Sequence, residues 1–402
     1  MAGTYMERKQ NIKRTIPITH MIRRPIRLVL LAGLMLFVSA CFSALASTPL
    51  PLPPTTTAQS TLAPPATRPA TESPIRAGAI GPEIYPPDVN PLTGLRVDDV
   101  SLLARRPVIA KISNAPPLVR PQAGIGAADL VFEHYAEGGL TRFSGVFYSN
   151  MPQRVGSVRS ARLIDYELVP MYQGLLAFSG ASIGVEEYIN TSEFADRAYK
   201  GVLFGLPYYW RDENIPVPHN MFVNLEALSQ LATQDGVNTT PTLRGMAFLE
   251  EAPPADDGAA HSADIRYMAT RVRWDYDAAS NRYLRFSDGE AHLDANTGEQ
   301  VSAANVLILF ANHRFTDIVE SVFQDNVSYS IEMQLWFEGE GILLRDGRQY
   351  RVQWRRPTRE SLISLRTIDG ENLMYFKPGN TWIQVVRPPE QQDSNTEWVR
   401  IE

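Results

Sequence analysis

The spacing of apolar and polar residues divides the chain beyond residue 88 into two regions of different character. In the first, residues 106–112, 129–135 and 142–148 read as strands, the last two joined by a hairpin-like turn at Glu137-Gly138-Gly139. Another strand is expected over 154–158, after a turn at Asn150-Met151-Pro152. Residues 161–172 place Leu163, Leu168 and Met171 on one helical face, and 175–178 form a short apolar strand closed by Ser179-Gly180. Asn224 opens a second helix over 225–233, because its side chain can accept from the free N–H groups of a first turn. Strands and helices mix without a regular βαβ repeat. The expectation for 88–250 is an α+β (or α/β) domain.

A polar break over 250–264, with Pro253-Pro254 and Gly258-Ala259-Ala260, marks a boundary. Beyond it strand patterns dominate, at 265–276, 282–286, 306–310, 328–337, 342–344, 350–354 and 382–386. Turns at Ser287-Asp288-Gly289, Arg345-Asp346-Gly347 and 377–380 punctuate them. The second domain, 262–390, is therefore expected to be mostly antiparallel β.

The N-terminal forty residues follow another logic. Arg23, Arg24 and Arg27 precede an apolar stretch over 28–37, then Val38-Ser39-Ala40-Cys41. A basic segment, about ten apolar residues and small residues at a cleavage point are the parts of a secretory signal. The last four residues resemble a lipobox, whose cysteine is acylated and becomes the mature N-terminus. Met21 suits this signal as a start better than Met1. Ten apolar residues fall short of the ~20 that span a hydrocarbon core. The expectation is a signal over 1–40, lipidation at Cys41, and a cell-membrane protein held by lipid on the extracytoplasmic face. Residues 42–87 hold eleven of the thirty prolines. With Cys41 they read as a Pro/Thr-rich tether (41–87), extended toward polyproline II.

Removing residues 1–40 leaves 31 basic and 43 acidic residues, a formal net of −12 against −6 for the whole chain. Such a surface repels nucleic acid and anionic headgroups, so nucleic-acid partners are excluded and attachment falls to the lipid. Cys41 is the only cysteine. Once acylated it leaves no thiol for a disulfide, zinc site or nucleophile.

The charged residues of the first region are the candidate site. On a regular strand through 129–137, Asp129, Glu133 and Glu137 share one face by the two-residue period. Arg142 follows on the next strand, and Arg159 and Arg162 sit where a strand passes into a helix, so free N–H groups and guanidinium forks could grip an anion there. The opposite reading is a structural network of arginines and carboxylates. His219 and Asn220, after Tyr208-Tyr209-Trp210-Arg211-Asp212, are a second candidate, lining a groove for sugar or peptide or else packing a loop. The six histidines show no metal spacing, and no P-loop, nucleophile elbow or full dinucleotide fingerprint is present, so no metal or cofactor is expected.

Residues 106–114 (RPVIAKISN), 120–125 (RPQAGI), 128–133 (ADLVFE), 137–143 (EGGLTRF), 158–162 (VRSAR) and 218–220 (PHN) together resemble the YerB-like lipoproteins. That family is a domain of unknown function (number 3048) in N- and C-terminal parts. Residues 294–304, 352–359 and 378–386 are similar to its C-terminal part. Lys111 and Ser113 depart from the Met-x-Asp-Asn-like run expected there. The resemblance implies a two-part bacterial lipoprotein without an established reaction, and it adds Asn114 and Arg120 to the candidate residues. The layout over 141–162 is also similar to that of the LytR-CpsA-Psr phosphotransferases, without their diagnostic Arg-Asp pairs.

The reading that follows is an envelope binding or scaffold lipoprotein with an anionic-ligand site in its first domain, its partners being the membrane through Cys41 and a cell-wall or other anionic ligand. The alternative is a cell-wall glycan or phosphodiester transferase or hydrolase, with Arg142, Arg159 and Arg162 stabilising phosphate charge and Asp129 or Glu133 as general base.

Overall fold

The computed structural model describes residues 75–254 and 256–402. The expected signal, the lipidated Cys41 and most of the tether lie outside the described residues.

Three antiparallel strands form the centre: β1 (Val108–Ser113), β2 (Leu130–Tyr135) and β3 (Thr141–Phe147). Every residue in them is buried, which is why they read as near-continuous apolar runs and not as alternating ones. Helix α1 (Asp165–Tyr172) covers one face, with Tyr172 edge-on to Phe132 at 6.0 Å. It starts later than expected because the Asp165 carboxylate accepts the Arg162 N–H at 2.8 Å and holds 162–164 as a turn. Strand Leu175–Phe178 follows and lies parallel to β1. Helix α2 (Ile183–Asn190), which the residue pattern did not suggest, precedes α3 (Leu225–Gln234). Asn224 caps α3 as expected, accepting the Ala227 N–H at 3.0 Å.

The sheet does not stop at the polar break. Strand Thr381–Val386 pairs in parallel with β2 on one side and with Asn305–Phe310 on the other. Strands of both sequence regions thus join one eleven-stranded sheet, which continues through Phe337–Arg345 and Arg348–Arg356. A second, antiparallel sheet (Ser262–Tyr267, Thr270–Asp277, Arg282–Ser287 and Trp398–Ile401) covers the face of β1–β3 opposite α1. There Trp274 meets Trp382 edge-on at 5.3 Å, and Trp382 meets Phe143 at 5.4 Å. The single strand expected over 265–276 is a hairpin turning at Met268-Ala269, residues that carry no turn signal.

Among the described residues, strands His313–Phe323 and Asn326–Met333 pair only with each other. This arm folds back to the first region, where a Cβ on Gly184 would come within 2.6 Å of Ile318. The described chain is mostly sheet with few helices, and its C-terminal part is antiparallel sheet. No described helix is long and apolar enough to cross a membrane.

Candidate functional site

Directly opposed residues in an antiparallel ladder point to the same side of a sheet. The register Lys111↔Ser144↔Phe132 and Ser113↔Arg142↔His134 therefore puts Lys111, Ser144, His134 and Arg142 under α1. Glu133, Phe143 and Thr141 face the second sheet. Each side holds its own polar cluster.

On the second-sheet side, the Glu133 carboxylate accepts from Asn114 at 3.2 Å, Thr141 at 2.9 Å and Arg285 at 2.7 Å. The Arg285 guanidinium lies 4.8 Å from the Trp382 ring centre and bonds His292 Nδ1 at 2.7 Å. His292 Nε2 faces Gln122 Oε1 at 2.6 Å. Burial, then the Arg285 charge, holds the His292 imidazole well below its ordinary range, so it stays neutral. Arg120 closes this side, donating to the Asn114 carbonyl at 3.1 Å and to Asp288 at 2.7 Å.

Asp129 belongs to neither cluster. It precedes β2 and accepts from Asn90 at 2.9 Å, the Tyr148 N–H at 2.6 Å, and the Ser149 N–H and hydroxyl at 3.1 and 2.5 Å. Burial pushes its carboxyl up and these bonds oppose the shift. The shared face expected for Asp129, Glu133 and Glu137 is lost because the strand ends at Tyr135. Glu137 lies in a 3₁₀ turn with Gly138 at φ 71°, which carries it to the α1 side.

There Glu137 is gripped by two arginines. Arg162 bonds it through Nε at 2.8 Å and again through its fork, and Arg142 adds a bond at 2.7 Å. Burial alone would raise the Glu137 carboxyl, but the two guanidiniums overcome it and hold it at about 2. Arg142 also donates to the Ser160 carbonyl at 2.9 Å, and Arg162 lies 3.6 Å from Glu320 on the arm. Deeper under α1, the fully buried Lys111 ammonium bonds Ser144 at 2.6 Å and His134 Nε2 at 2.8 Å, with Asp165 at 3.1 Å. His134 Nδ1 donates to the Tyr135 carbonyl at 2.9 Å, leaving Nε2 as the acceptor. Sequence reading passed over this group. Its one visible signal was Lys111 as the sole charge in an apolar run.

Arg159 differs from its neighbours. Among the described residues its guanidinium makes a single long bond, 3.4 Å to the Pro218 carbonyl. His219 stands beside it, with Nδ1 buried and without a hydrogen-bond partner. Burial, then the Arg159 charge, pushes the His219 imidazole down. The neighbouring Asn220 is committed elsewhere, accepting from Arg211 at 2.7 Å and donating to the Asp212 carbonyl at 3.2 Å. The loop before α2 is laced to this strand by Ser179 N–H to Arg159 O at 3.0 Å and Ala161 N–H to Gly180 O at 2.8 Å. Ser182, at the start of α2, has a buried hydroxyl with no partner. Among the described residues no three His, Cys, Asp or Glu side chains gather as a metal site.

Two family models match the chain. That for the N-terminal domain of a protein of unknown function (DUF3048) covers residues 92–238, and that for its C-terminal domain covers 263–383. This chain belongs to the DUF3048 family. It is 30% identical over 301 residues to the protein named Putative lipoprotein YerB of Bacillus subtilis (strain 168), across 74% of this chain and 85% of that one. The crystal structure of YerB protein from Bacillus subtilis superimposes with a TM-score of 0.65 at 28% identity, covering 78% of this chain and 99% of that chain. In this member of the family the N-terminal match holds β1–β3, α1 and Arg159. The C-terminal match supplies Arg285 and His292, and with them the partner of Glu133.

Proposed function

We propose that this chain is an exported lipoprotein, anchored through Cys41 on the extracytoplasmic face of a membrane, whose first domain captures an anionic group at Arg159. The lipobox-like Val38-Ser39-Ala40-Cys41 and the name of the Bacillus relative, Putative lipoprotein YerB, support the address. The observation that carries the site is the contrast among three neighbouring arginines. Arg142 and Arg162 are committed to Glu137, whereas Arg159 keeps its fork free of carboxylates beside an unpartnered His219 nitrogen.

The local charge agrees. Arg142, Arg159 and Arg162 outnumber Glu137 and Glu320, on a chain that is acidic overall. A phosphate or carboxylate placed against Arg159 would accept its bidentate donors and a proton-bearing His219, and the start of α2 adds unpaired N–H groups nearby. The candidate general bases Asp129 and Glu133 spend their oxygens on other partners, so binding is the reading favoured over transfer or hydrolysis.

Calorimetric titration of the purified protein with pyrophosphate and with citrate tests it. At least one should bind, and Arg159→Ala should weaken it at least tenfold while the melting temperature stays within about 1 °C of wild type, because the half-buried guanidinium gives up only one long hydrogen bond. Equal affinity in Arg159→Ala would reject the site.

A further inference from the structure

A second feature runs from α1, α2 and the arm along the strand that follows, and Arg159 is not among the residues that line it. Three cavities stand in a row and share their walls. The first, about 390 Å³, runs between α1, α2 and the arm and is lined by Tyr166, Tyr188 and Phe315. Trp336 closes it and also opens the second, about 460 Å³, whose far wall is Phe337. Phe337 and Glu338 then border the third, about 850 Å³, which contains Arg244, Arg355 and Arg366. A row of connected cavities suits a polymer better than a compact molecule, which needs a single pocket of this size.

The residues between the cavities are unusual. Phe337 is 70% exposed and holds φ at +67°, a region that costs a bulky residue energy and that only surrounding structure maintains. Trp354 forms the floor of the middle cavity: a Cβ on Gly339 would sit 2.7 Å from its ring. Beside the rings, the Gln334 amide, the Trp336 indole N–H and the Glu390 carboxylate line the same cavity and, among the described residues, have no side-chain hydrogen bond or ion pair. The unpaired groups therefore include both donors and acceptors.

We infer that this groove binds a glycan strand, its sugar rings stacked on Trp336 and Phe337. A pyranose presents C–H faces to aromatic rings and hydroxyls at its rim, and each hydroxyl both donates and accepts, which matches Gln334 and Glu390 together. A proline-rich segment is the nearest competitor for an aromatic groove. It offers carbonyl acceptors and few donors, so it leaves Glu390 unpaired. The inference is independent of the anion site at Arg159.

The test is titration of the full chain with chitohexaose, maltohexaose and soluble peptidoglycan strands, alongside a proline-rich decapeptide, with sedimentation to detect a second copy. One of the glycans should bind, its hexamer at least tenfold tighter than its dimer. Phe337→Gly should weaken that binding at least tenfold without lowering the melting temperature, because glycine relaxes at φ +67°. Trp336→Ala should do the same, and Arg159→Ala should leave glycan affinity unchanged. Failure of all three glycans to bind, an unaffected Phe337→Gly, binding of the decapeptide instead, or a dimer that Phe337→Gly dissolves would each overturn the inference.

Discussion

The Glu133 carboxylate and the Arg285 guanidinium meet at 2.7 Å with both side chains sealed from solvent. One comes from β2 and the other from the second sheet, 152 residues later. Removing one partner strands a charge in a site walled by Phe143, Trp274 and Trp382. Glu133→Ala and Arg285→Ala should each cost about 3–5 kcal/mol in urea unfolding. The double variant should cost clearly less than the sum, since no unpaired charge remains. Losses under 1 kcal/mol, or full additivity, would show the pair to be energetically idle.

Lys111 gives a pH signature of opposite sense to most lysines. Burial lowers its ammonium to about 8, against attraction from Asp165. An unfolded lysine keeps its proton to about 10.4. Between those values the unfolded chain binds more protons, so this residue makes stability rise with pH from about 8 to 10.4. Chemical unfolding of wild type and Lys111→Met across pH 7–10.5 should show the wild type gaining on the variant toward the alkaline end. A constant gap, or one moving the other way, would contradict the burial argument.

Glu137 acts at the acid end. Its carboxyl lies at about 2 between Arg142 and Arg162, well below an unfolded glutamate. Its contribution is complete above about 4.5 and is lost as pH falls toward 2. Glu137→Gln should therefore lower stability by about 2 kcal/mol at pH 7, with the difference from wild type shrinking below pH 4. Thermal unfolding at pH 7, 4 and 2.5 measures it, and a difference that holds steady down to pH 2.5 would speak against the arginine grip.

The central strands were legible because burial on both faces leaves largely apolar runs, broken by few charges such as Lys111 and Glu133, and Glu137-Gly138-Gly139 marks the turn between two of them. The α3 start was equally plain, since Asn224 caps as its chemistry requires. The parallel pairing of Thr381–Val386 with β2 was not, because nothing local in either segment specifies a partner some 250 residues away. The first strand of the arm, His313–Phe323, was missed for another reason. Its register shifts between Phe315 and Val319 and again before Ser321, and each shift breaks the two-residue period on which the strand reading rests.

The candidate site followed the same division. Glu137, Arg142 and Arg162 were visible as a charged cluster, and the structure brings them into contact. Separating Glu133 from Glu137 required Arg285, which arrives from the second sheet, and the strand end at Tyr135. That Arg159 alone stays uncommitted depends on where Glu137 lands, and no spacing along the chain encodes it.

The most direct measurement is the titration of the His219 imidazole by NMR, with and without pyrophosphate. In the free protein burial and the Arg159 charge keep it below its ordinary range, so it is neutral at pH 7. An anion seated on Arg159 offsets that charge and accepts from the protonated ring, so the His219 pKa should rise by at least half a unit when pyrophosphate is bound. In Arg159→Ala the pKa should start higher and stop responding to the anion. A wild-type His219 that titrates identically with and without pyrophosphate would contradict an anion site at Arg159.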